Sequence, residues 1–454
     1  MAKQTQGKKI AVIGAGWAGC SAATRLSELG HQVTLIEAAR TLGGRARRVE
    51  LHDHALDNGQ HILLGAYSAT LALMKTLGID RTSALLTLPL QMCYPGTESG
   101  MHFVAPKLPA PLHLLIALLK AKGLSRADKL SLARFSTTAR WMDWQLHQDC
   151  SVSELLQRFD QTEKLCRLMW IPLCIAALNT PPERASAQIF LNVLRDSLGA
   201  KRATSDMLIP RLDLSRLLPE AAARQIQQNG GKVLLGNAVK SLTLNTDQRW
   251  QCEDSHSDPA LAQNWDGIIV ATDAEHAKRL LATIDNKELA APSISTTFSY
   301  EPITTCYLQY QSSLQLPRAF YALEDQPERQ HWGQFVFDRG QLHASQQGLL
   351  AVVVSASGAA IEHSHAELAT AIAKQLAANF QRPDLATPLW HKVISEKRAT
   401  YSCTPGLVRP ENKTSISSLF IAGDYTAGDY PATLEAAVRS GQQAASQLHQ
   451  QLQA

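Results

Sequence analysis

Five consecutive residues, Asp57 to His61 in the order DNGQH, bring a carboxylate, two amides and an imidazole together around Gly59. An imidazole next to a carboxylate can transfer protons, so the stretch could belong to an active centre. With His52 and His54 upstream, the same groups could bind a metal ion. An Asn-Gly pair is also common in plain turns. The five residues leave these three interpretations open, and their neighbours must decide between them.

A glycine-rich motif, Gly14-x-Gly16-x-x-Gly19, follows an apolar stretch from Lys9 to Ile13 that predicts a buried strand. A helical pattern of small residues and a second strand ending at Glu37 complete a βαβ unit. In such units Gly14 would permit the tight turn, Gly16 the approach of a pyrophosphate, and Gly19 the packing of helix on strand. The helix N-terminus offers free N–H groups to phosphates. Glu37 is placed to accept hydrogen bonds from a ribose, so a dinucleotide site is predicted.

Two further segments favour FAD over NAD. In Gly43-Gly44-Arg45, paired glycines allow close approach to a cofactor, and the arginine can bind phosphate. Near the end of the sequence an apolar strand leads into Gly423-Asp424, followed by a predicted helix. An acid at a strand end can hold a sugar-alcohol hydroxyl, and a helix N-terminus can stabilise negative charge on a reduced ring.

The predicted elements divide the chain into two assemblies. Residues 1–80, 205–290 and 400–454 carry the nucleotide motifs and the βα patterns, which predicts a Rossmann-like FAD-binding domain. Residues 81–204 and 291–399 alternate strand-like and helical stretches, which predicts an inserted α+β substrate-binding domain. The fold class predicted is α/β, with a ligand pocket where the two domains meet.

Composition excludes several other classes of protein. Of the 454 residues 45% are hydrophobic and 19% charged, which is typical of globular proteins. The formal net charge of +4 is small and no basic run is interleaved with aromatics, so nucleic acid is not a predicted partner. The eight cysteines show no CxxC spacing, which favours reduced thiols. Only five apolar residues precede the glycine loop, too few for a signal peptide, so we expect a cytoplasmic location.

Two apolar features could contact a lipid. The run from Leu112 to Leu119 is too short to span a bilayer, but with Lys107, Lys120 and Lys122 beside it the run could lie on the inner membrane surface as a peripheral contact. A buried helix turn is the alternative. The second feature is a set of large apolar side chains that could line a tunnel for a hydrocarbon or simply form core: Trp141, Trp144, Met169, Trp170 and Leu173.

Taken together, the motifs resemble the FAD-dependent amine oxidase and carotenoid desaturase superfamily. Within it the chain is similar to the bacterial hydroxysqualene dehydroxylases, also called squalene-associated FAD-dependent desaturases. The segments that carry the closer resemblance are "DNGQHILLGAY", "WIPLCIAALNTPPERASAQIF", "EKRATYSCTPGLVRP" and "AGDY…YPATLEAAVRSG". They are spread over nearly the whole chain.

The resemblance implies a GR2-type flavoprotein with FAD bound without a covalent link. Cys403 lies near the point where some amine oxidases tether flavin, but the residues around it differ from theirs. Asp429, next to the C-terminal motif, is expected to be a loop acid that does not bind the cofactor. The implied FAD contacts are Gly14, Ala15, Gly16, Gly19, Glu37, Gly43, Gly44, Arg45, Gly59, Val239, Gly423, Asp424 and Leu434.

The resemblance also implies a reaction, in which reduced flavin delivers hydride to an allylic carbon of hydroxysqualene and the hydroxyl leaves as water. Squalene for hopanoid or triterpenoid synthesis is the product. His61 is then the predicted acid, with Asp57 and Gln60 as orienting groups, and no metal is required. The expected partners are a long-chain isoprenoid substrate, the membrane and upstream enzymes of the squalene pathway. An isoprenoid (phytoene-type) desaturase and a non-catalytic prenyl-lipid carrier are the alternatives.

Overall fold

The strands and helices come from a computed structural model that describes residues 7–51, 54–96, 100–254, 259, 261–284, 294 and 297–453. The strands in these residues are β1 (Lys9–Ile13), β2 (Gln32–Glu37), β3 (Arg48–Leu51), β4 (His54–Asp57), β5 (Leu63–Leu64), β6 (Leu85–Leu88), β7 (Gln91–Cys93), β8 (His102–Val104), β9 (Met207–Pro210), β10 (Lys232–Leu235), β11 (Val239–Leu244), β12 (Trp250–Asp254), β13 (Gly267–Val270), β14 (Tyr300–Gln309), β15 (Phe320–Ala322), β16 (Phe335–Asp338), β17 (Leu349–Val354), β18 (Trp390–Tyr401) and β19 (Leu419–Ile421). The α-helices are α1 (Trp17–Glu28), α2 (Ser68–Thr76), α3 (Arg81–Ala84), α4 (Leu112–Lys120), α5 (Arg126–Trp141), α6 (Val152–Arg158), α7 (Glu163–Leu165), α8 (Ile171–Leu178), α9 (Ala187–Leu194), α10 (Leu214–Leu217), α11 (Pro219–Gln228), α12 (Ala274–Leu281), α13 (His365–Phe380) and α14 (Leu434–Gln453).

Five parallel strands form the first sheet, in the order β10-β2-β1-β13-β19. Every residue of β13 is buried, as expected for a parallel strand that is covered on both faces. Helices α1 and α14 pack closely together because Gly441 has no side chain; a Cβ there would lie 2.2 Å from the carbonyl oxygen of Ala18. The carboxyl ends of all five strands meet at one edge of the sheet.

The second sheet is antiparallel, in the order β15-β16-β17-β14-β18. Alternate residues of its strands belong to two different cores. Val336 and Val352 pack with Ile372 of α13 on one face, whereas Phe335 and Phe337 belong to the core on the other. Because both faces of the central strand β17 are buried, all six of its residues are apolar, whereas the edge strand β18 carries exposed polar residues.

The predicted strand Lys9–Ile13 has those bounds in the structure, and the second strand ends at Glu37 as predicted. The boundaries of the two predicted domains stay a prediction. β18 continues through the predicted boundary at residue 400, and the boundary at residue 290 lies outside the described residues.

Candidate active site

A cavity of about 1020 Å³ opens at the carboxyl edge of the parallel sheet and extends to the inner face of the antiparallel sheet. In open α/β sheets, ligands bind outside the carboxyl ends of the strands. Of the predicted site residues, those that line the cavity are Gly14, Gly16, Glu37, Gly43, Gly44, Arg45, Gly59, Gln60, His61, Val239, Gly423, Asp424 and Leu434.

The glycine motif forms one wall of the cavity, and its glycines serve different purposes. Gly16 is the N-cap of α1, and a Cβ built on it would meet no atom within 4 Å. A Cβ on Gly19 would lie 1.8 Å from the carbonyl oxygen of Gly14, so Gly19 is required for packing helix against strand. Gly16 therefore leaves open space in front of the N–H groups of a twelve-residue helix. This arrangement fits a phosphate group.

Glu37 holds the glycine loop in place. Its Oε2 accepts a hydrogen bond from the N–H of Ala15 at 2.7 Å, and its Oε1 accepts one from Ala39 at 2.8 Å. The carbonyl of Ala15 in turn accepts a hydrogen bond from the N–H of Gly43 at 3.0 Å. The three nucleotide motifs near the start of the chain thus contact one another directly. Ala15 and Gly19 do not line the cavity, and their contact with FAD stays a prediction.

Arg45 joins the early motifs to the C-terminal one. Its Nη2 donates to Asp424 Oδ1 at 2.6 Å, and its Nη1 donates to the carbonyl of Ala399 at 2.6 Å. Burial opposes the charge of Arg45, but the Asp424 carboxylate outweighs that effect and raises the pKa of the guanidinium. The pair sets opposite charges in the wall of the cavity, which Leu434, the first residue of α14, also lines.

Asp57 ends β4 and points away from the cavity. Its Oδ1 accepts a hydrogen bond from the N–H of Leu214 at 2.7 Å, and its side chain is buried. Burial raises the pKa of Asp57 to about 7, against the opposing attraction of the nearby Arg339 guanidinium. The Asp57 carboxylate supports the backbone at the start of α10 and does not line the cavity, and its role as an orienting group stays a prediction.

Gln60 and His61 lie in the cavity wall between its polar and apolar parts. Gln60 is held by Arg339, a fully buried arginine whose Nη1 donates to Gln60 Oε1 at 2.7 Å. The His61 Nδ1 lies 2.7 Å from the carbonyl oxygen of Gly59, which can only accept, so Nδ1 carries a proton. Burial lowers the pKa of His61. The imidazole is therefore neutral at pH 7, and its Nε2 is a free acceptor.

The far part of the cavity is lined by apolar side chains, which fit a hydrocarbon chain. They come from the antiparallel sheet and from β8 and helices of the other predicted insert: Phe103, Met169, Leu173, Phe190, Ile303, Phe320, Phe335, Phe337 and Val353. The Phe320 and Phe335 rings stack with their centroids 5.6 Å apart.

Two of the five predicted tunnel residues, Met169 and Leu173, line the cavity, whereas the three tryptophans do not. Trp141 is 86% exposed. Trp170 is buried, with its Nε1 donating to Gln161 Oε1 at 2.9 Å, and Trp144 is buried in the core. An apolar helical pattern identifies side chains that can be buried. It does not tell which of them face the cavity and which face the core.

Asp273 is a cavity residue that the sequence reasoning missed. It follows β13, lines the cavity with Thr272, and caps α12 by accepting from the N–H groups of Glu275 and His276 at 3.1 Å each. Its Oδ2 lies 2.5 Å from the His276 Nδ1, and although burial opposes it, His276 lowers the pKa of Asp273. The signal was available, because an acid just after a parallel strand had already singled out Asp424.

The structure also bears on two alternatives, a metal site near His61 and a covalent link between Cys403 and flavin. No cluster of three or more His, Cys, Asp or Glu that could hold a metal occurs in the described ranges. His52 lies outside those ranges, and the His54 ring lies beside Trp390. Cys403 is buried away from the cavity, and burial raises the pKa of its thiol to about 12.

The family model described as flavin containing amine oxidoreductase matches residues 17–449 of this chain. The chain belongs to that family. Fold, glycine wall and family together identify a flavin-dependent oxidoreductase, and the predicted superfamily and α/β fold class are confirmed.

Individual relatives narrow the comparison. Hydroxysqualene dehydroxylase from Rhodopseudomonas palustris is 28% identical over 96% of this chain and 97% of its own length. The 15-cis-phytoene desaturase of Capsicum annuum is 25% identical over 99% of this chain and 79% of its own length. Among solved structures, cyclohexylamine oxidase from Brevibacterium oxydans IH-35A superimposes with a TM-score of 0.65 at 16% identity, covering 99% of this chain and all 100% of its own. The structural likeness supports the fold alone.

Proposed function

We propose that this protein binds FAD non-covalently and removes the hydroxyl of hydroxysqualene to give squalene. One observation carries the proposal: a single cavity joins a wall that fits a dinucleotide to an apolar half that fits a hydrocarbon, with polar side chains where the two meet. The similarity to hydroxysqualene dehydroxylase over nearly both chains supports the same substrate. The FAD contacts proposed are those predicted FAD contacts that line the cavity: Gly14, Gly16, Glu37, Gly43, Gly44, Arg45, Gly59, Val239, Gly423, Asp424 and Leu434.

Bound, reduced FAD would supply the hydride that replaces the hydroxyl on the allylic carbon. The C–O bond breaks with its electron pair on oxygen, and that oxygen takes up one proton and leaves as water. The phenylalanine-rich half of the cavity keeps other nucleophiles from the allylic carbon while the bond breaks. Gln60, held by Arg339, and His61 are the polar groups proposed to lie next to the departing oxygen.

The assay that tests this function uses purified protein with bound flavin, reduced without oxygen and mixed with hydroxysqualene. Squalene is the expected product. The desaturase alternative predicts instead that oxidised protein introduces double bonds into a hydrocarbon. A protein that carries reduced flavin and yields no squalene would contradict the proposal, and a purified protein without any flavin would favour the prenyl-lipid carrier.

His61 is proposed to supply the proton in its minor, protonated form, which the lowered pKa makes a stronger acid. We expect His61→Ala to keep the flavin absorbance spectrum and to lower kcat by about 100-fold, within the usual contribution of general acid catalysis. His391→Ala, which removes an exposed histidine of β18, is the control and should keep full activity. Equal turnover in both variants would mean that the proton comes from another group.

We also propose that α4 contacts the membrane from which the substrate is drawn. Leu112, Leu115 and Leu119 are 49%, 50% and 61% exposed on its outer face, while His113 on its inner face is buried. Lys120 ends the helix and can pair with anionic headgroups. Within the described part of the chain, no helix is long and apolar enough to span a bilayer. The contact proposed is peripheral, through the exposed leucines of α4; contacts with upstream enzymes stay a prediction.

Replacing Leu115 and Leu119 together by serine is expected to weaken binding to vesicles of phosphatidylcholine and phosphatidylglycerol. Each leucine that buries its exposed half in lipid contributes about 1 kcal/mol, so the pair should change the vesicle affinity by roughly 30-fold. Co-sedimentation with vesicles measures the change. Leu389→Ser, which removes a leucine that is 61% exposed before β18, is the matched control. Identical vesicle binding by the double variant and the control would exclude α4 as the contact.

A further inference from the structure

Tyr430 lies between two cavities. A second cavity, of about 420 Å³, is lined by polar residues that include Arg409 and Arg439. Among the described residues, Tyr430 is the lining residue that this cavity shares with the large one. It precedes α14, and it is only 6% exposed. Neither the glycine motifs nor the acid at Asp424 accounts for a tyrosine at this position.

The hydroxyl proton of Tyr430 is already engaged in a hydrogen bond within the protein. The phenol O–H donates to Asp196 Oδ2 at 2.5 Å, and Arg195 Nε donates to Asp196 Oδ1 at 2.8 Å. Burial opposes the charge on Asp196, but the hydrogen bonds from Arg195 and Tyr430 outweigh it and lower the pKa of the carboxyl. Burial and the Asp196 carboxylate both raise the pKa of Tyr430. The phenol therefore stays protonated and its oxygen keeps its lone pairs as an acceptor.

The tyrosine is also fixed in place. Arg409 Nη1 donates to the Tyr430 carbonyl at 2.8 Å, and the Arg439 guanidinium lies 4.7 Å from the centre of the ring. Asn192 of α9 donates to the carbonyl of Asp429 at 3.2 Å, which ties the same loop to a helix of the apolar half. The backbone and the ring of Tyr430 are thus held in place, so the phenol oxygen requires little reorganisation on binding.

We propose that Tyr430 recognises the hydroxyl group of the substrate by accepting a hydrogen bond from it. This inference rests on the proposed function. An alcohol supplies the donor that a phenol oxygen without a free proton needs, whereas a hydrocarbon of the same length leaves that oxygen unpaired. Tyr430 is then a specificity-determining residue that favours the alcohol over the hydrocarbon, and loss of the hydroxyl in the reaction weakens the hold on the product.

The test measures the affinities of the flavin-loaded protein for hydroxysqualene and for squalene, through the change that each causes in flavin fluorescence. The wild-type protein should bind the alcohol about 5- to 10-fold tighter, which corresponds to one hydrogen bond. In Tyr430→Phe that ratio should fall to about 1, with squalene affinity and flavin spectrum unchanged. The control is Tyr401→Phe: its hydroxyl accepts from the same Arg409 Nη1 at 2.7 Å but does not line the large cavity, so the ratio should stay.

Each outcome decides for or against the inference. The inference is overturned if Tyr430→Phe still binds hydroxysqualene more tightly than squalene, or if the wild-type protein binds both equally. Either result counts against it even if hydroxysqualene is converted to squalene. An affinity ratio that falls to about 1 in Tyr430→Phe supports the inference even if no turnover is found. In that case the proposed reaction alone fails. If Tyr430→Phe does not retain flavin, Asp196→Asn replaces it. That variant holds the phenol proton less firmly and should lower the ratio about 3-fold; an unchanged ratio counts against the proposal.

Discussion

Gly16→Val is expected to yield a folded protein that no longer holds flavin. The glycine has φ −70° and ψ −179°, an extended conformation that valine adopts freely. A Cβ there meets no protein atom within 4 Å, so the first atom of the new side chain enters open space. It projects into the space in front of the α1 N-terminus, where the phosphates of the cofactor would lie. Loss of the glycine N-cap costs only about 1 kcal/mol.

The measurement is the flavin content of the purified protein, by absorbance, together with its melting temperature. We expect bound flavin to fall more than 10-fold while the melting temperature of the flavin-free form changes by a few degrees at most. Gly358→Val is the matched control, because Gly358 also has an ordinary φ and no atom within 4 Å of a Cβ, yet lies outside both cavities.

Gly19→Ala provides the opposite contrast. Its Cβ would lie 1.8 Å from the Gly14 carbonyl oxygen, so this much smaller change should lower the melting temperature strongly. If Gly16→Val kept its flavin, or unfolded as Gly19→Ala should, the wall around Gly16 would not be the phosphate site.

Sequence reasoning succeeded where a short stretch carries both the signal and the structure. The apolar run before Gly14 is β1, and the glycines after it turn and pack as their spacing predicted. Backbone conformation, strand burial and helix capping depend mainly on nearby residues. The motif at Gly43 lies next to the first motif in the structure, because both follow adjacent strands of one sheet.

It failed where the contact joins distant parts of the chain. Gln60 is positioned by Arg339, 279 residues later, and no local pattern links a buried arginine to that loop. Asp57 and His61 are close in sequence, yet one supports α10 and the other lines the cavity, because the chain turns between them at Gly59. Likewise, the hydrogen bond from Tyr430 to Asp196 depends on how α9 packs against the C-terminal segment.

The second large effect concerns the pH dependence of stability. Burial raises the pKa of Asp57 to about 7, whereas an unfolded aspartate titrates near 3.8. Between these values the folded protein binds a proton that the unfolded chain has lost, so the free energy of unfolding falls as pH rises. The two pKa values differ by about 3 units, so the free energy of unfolding at pH 8 is lower by about 4 kcal/mol than at low pH.

Asp57→Asn removes this titration and keeps the group that matters, because an amide oxygen can still accept the hydrogen bond from the Leu214 N–H. We therefore expect the stability of the variant, relative to that of the wild-type protein, to increase steadily from pH 5 to pH 8. The melting temperatures of the two flavin-loaded proteins across that range measure the effect. The change of their difference with pH is the decisive quantity, since any fixed cost of placing an amide beside Arg339 is the same at every pH.

Asp128→Asn is the control of opposite sign. Asp128 also has little exposed surface, and although burial opposes its charge, hydrogen bonds from Thr162 and Ser125 lower the pKa of its carboxyl. Its stabilising contribution is present above the pKa of an unfolded aspartate and disappears as pH falls, so the Asn variant should lose stability at neutral pH. If Asp57→Asn also lost stability toward pH 8, the Asp57 carboxylate would be charged in the folded protein. Its attraction to Arg339 would then outweigh its burial, and the loop carrying Gln60 and His61 would be held by an ion pair.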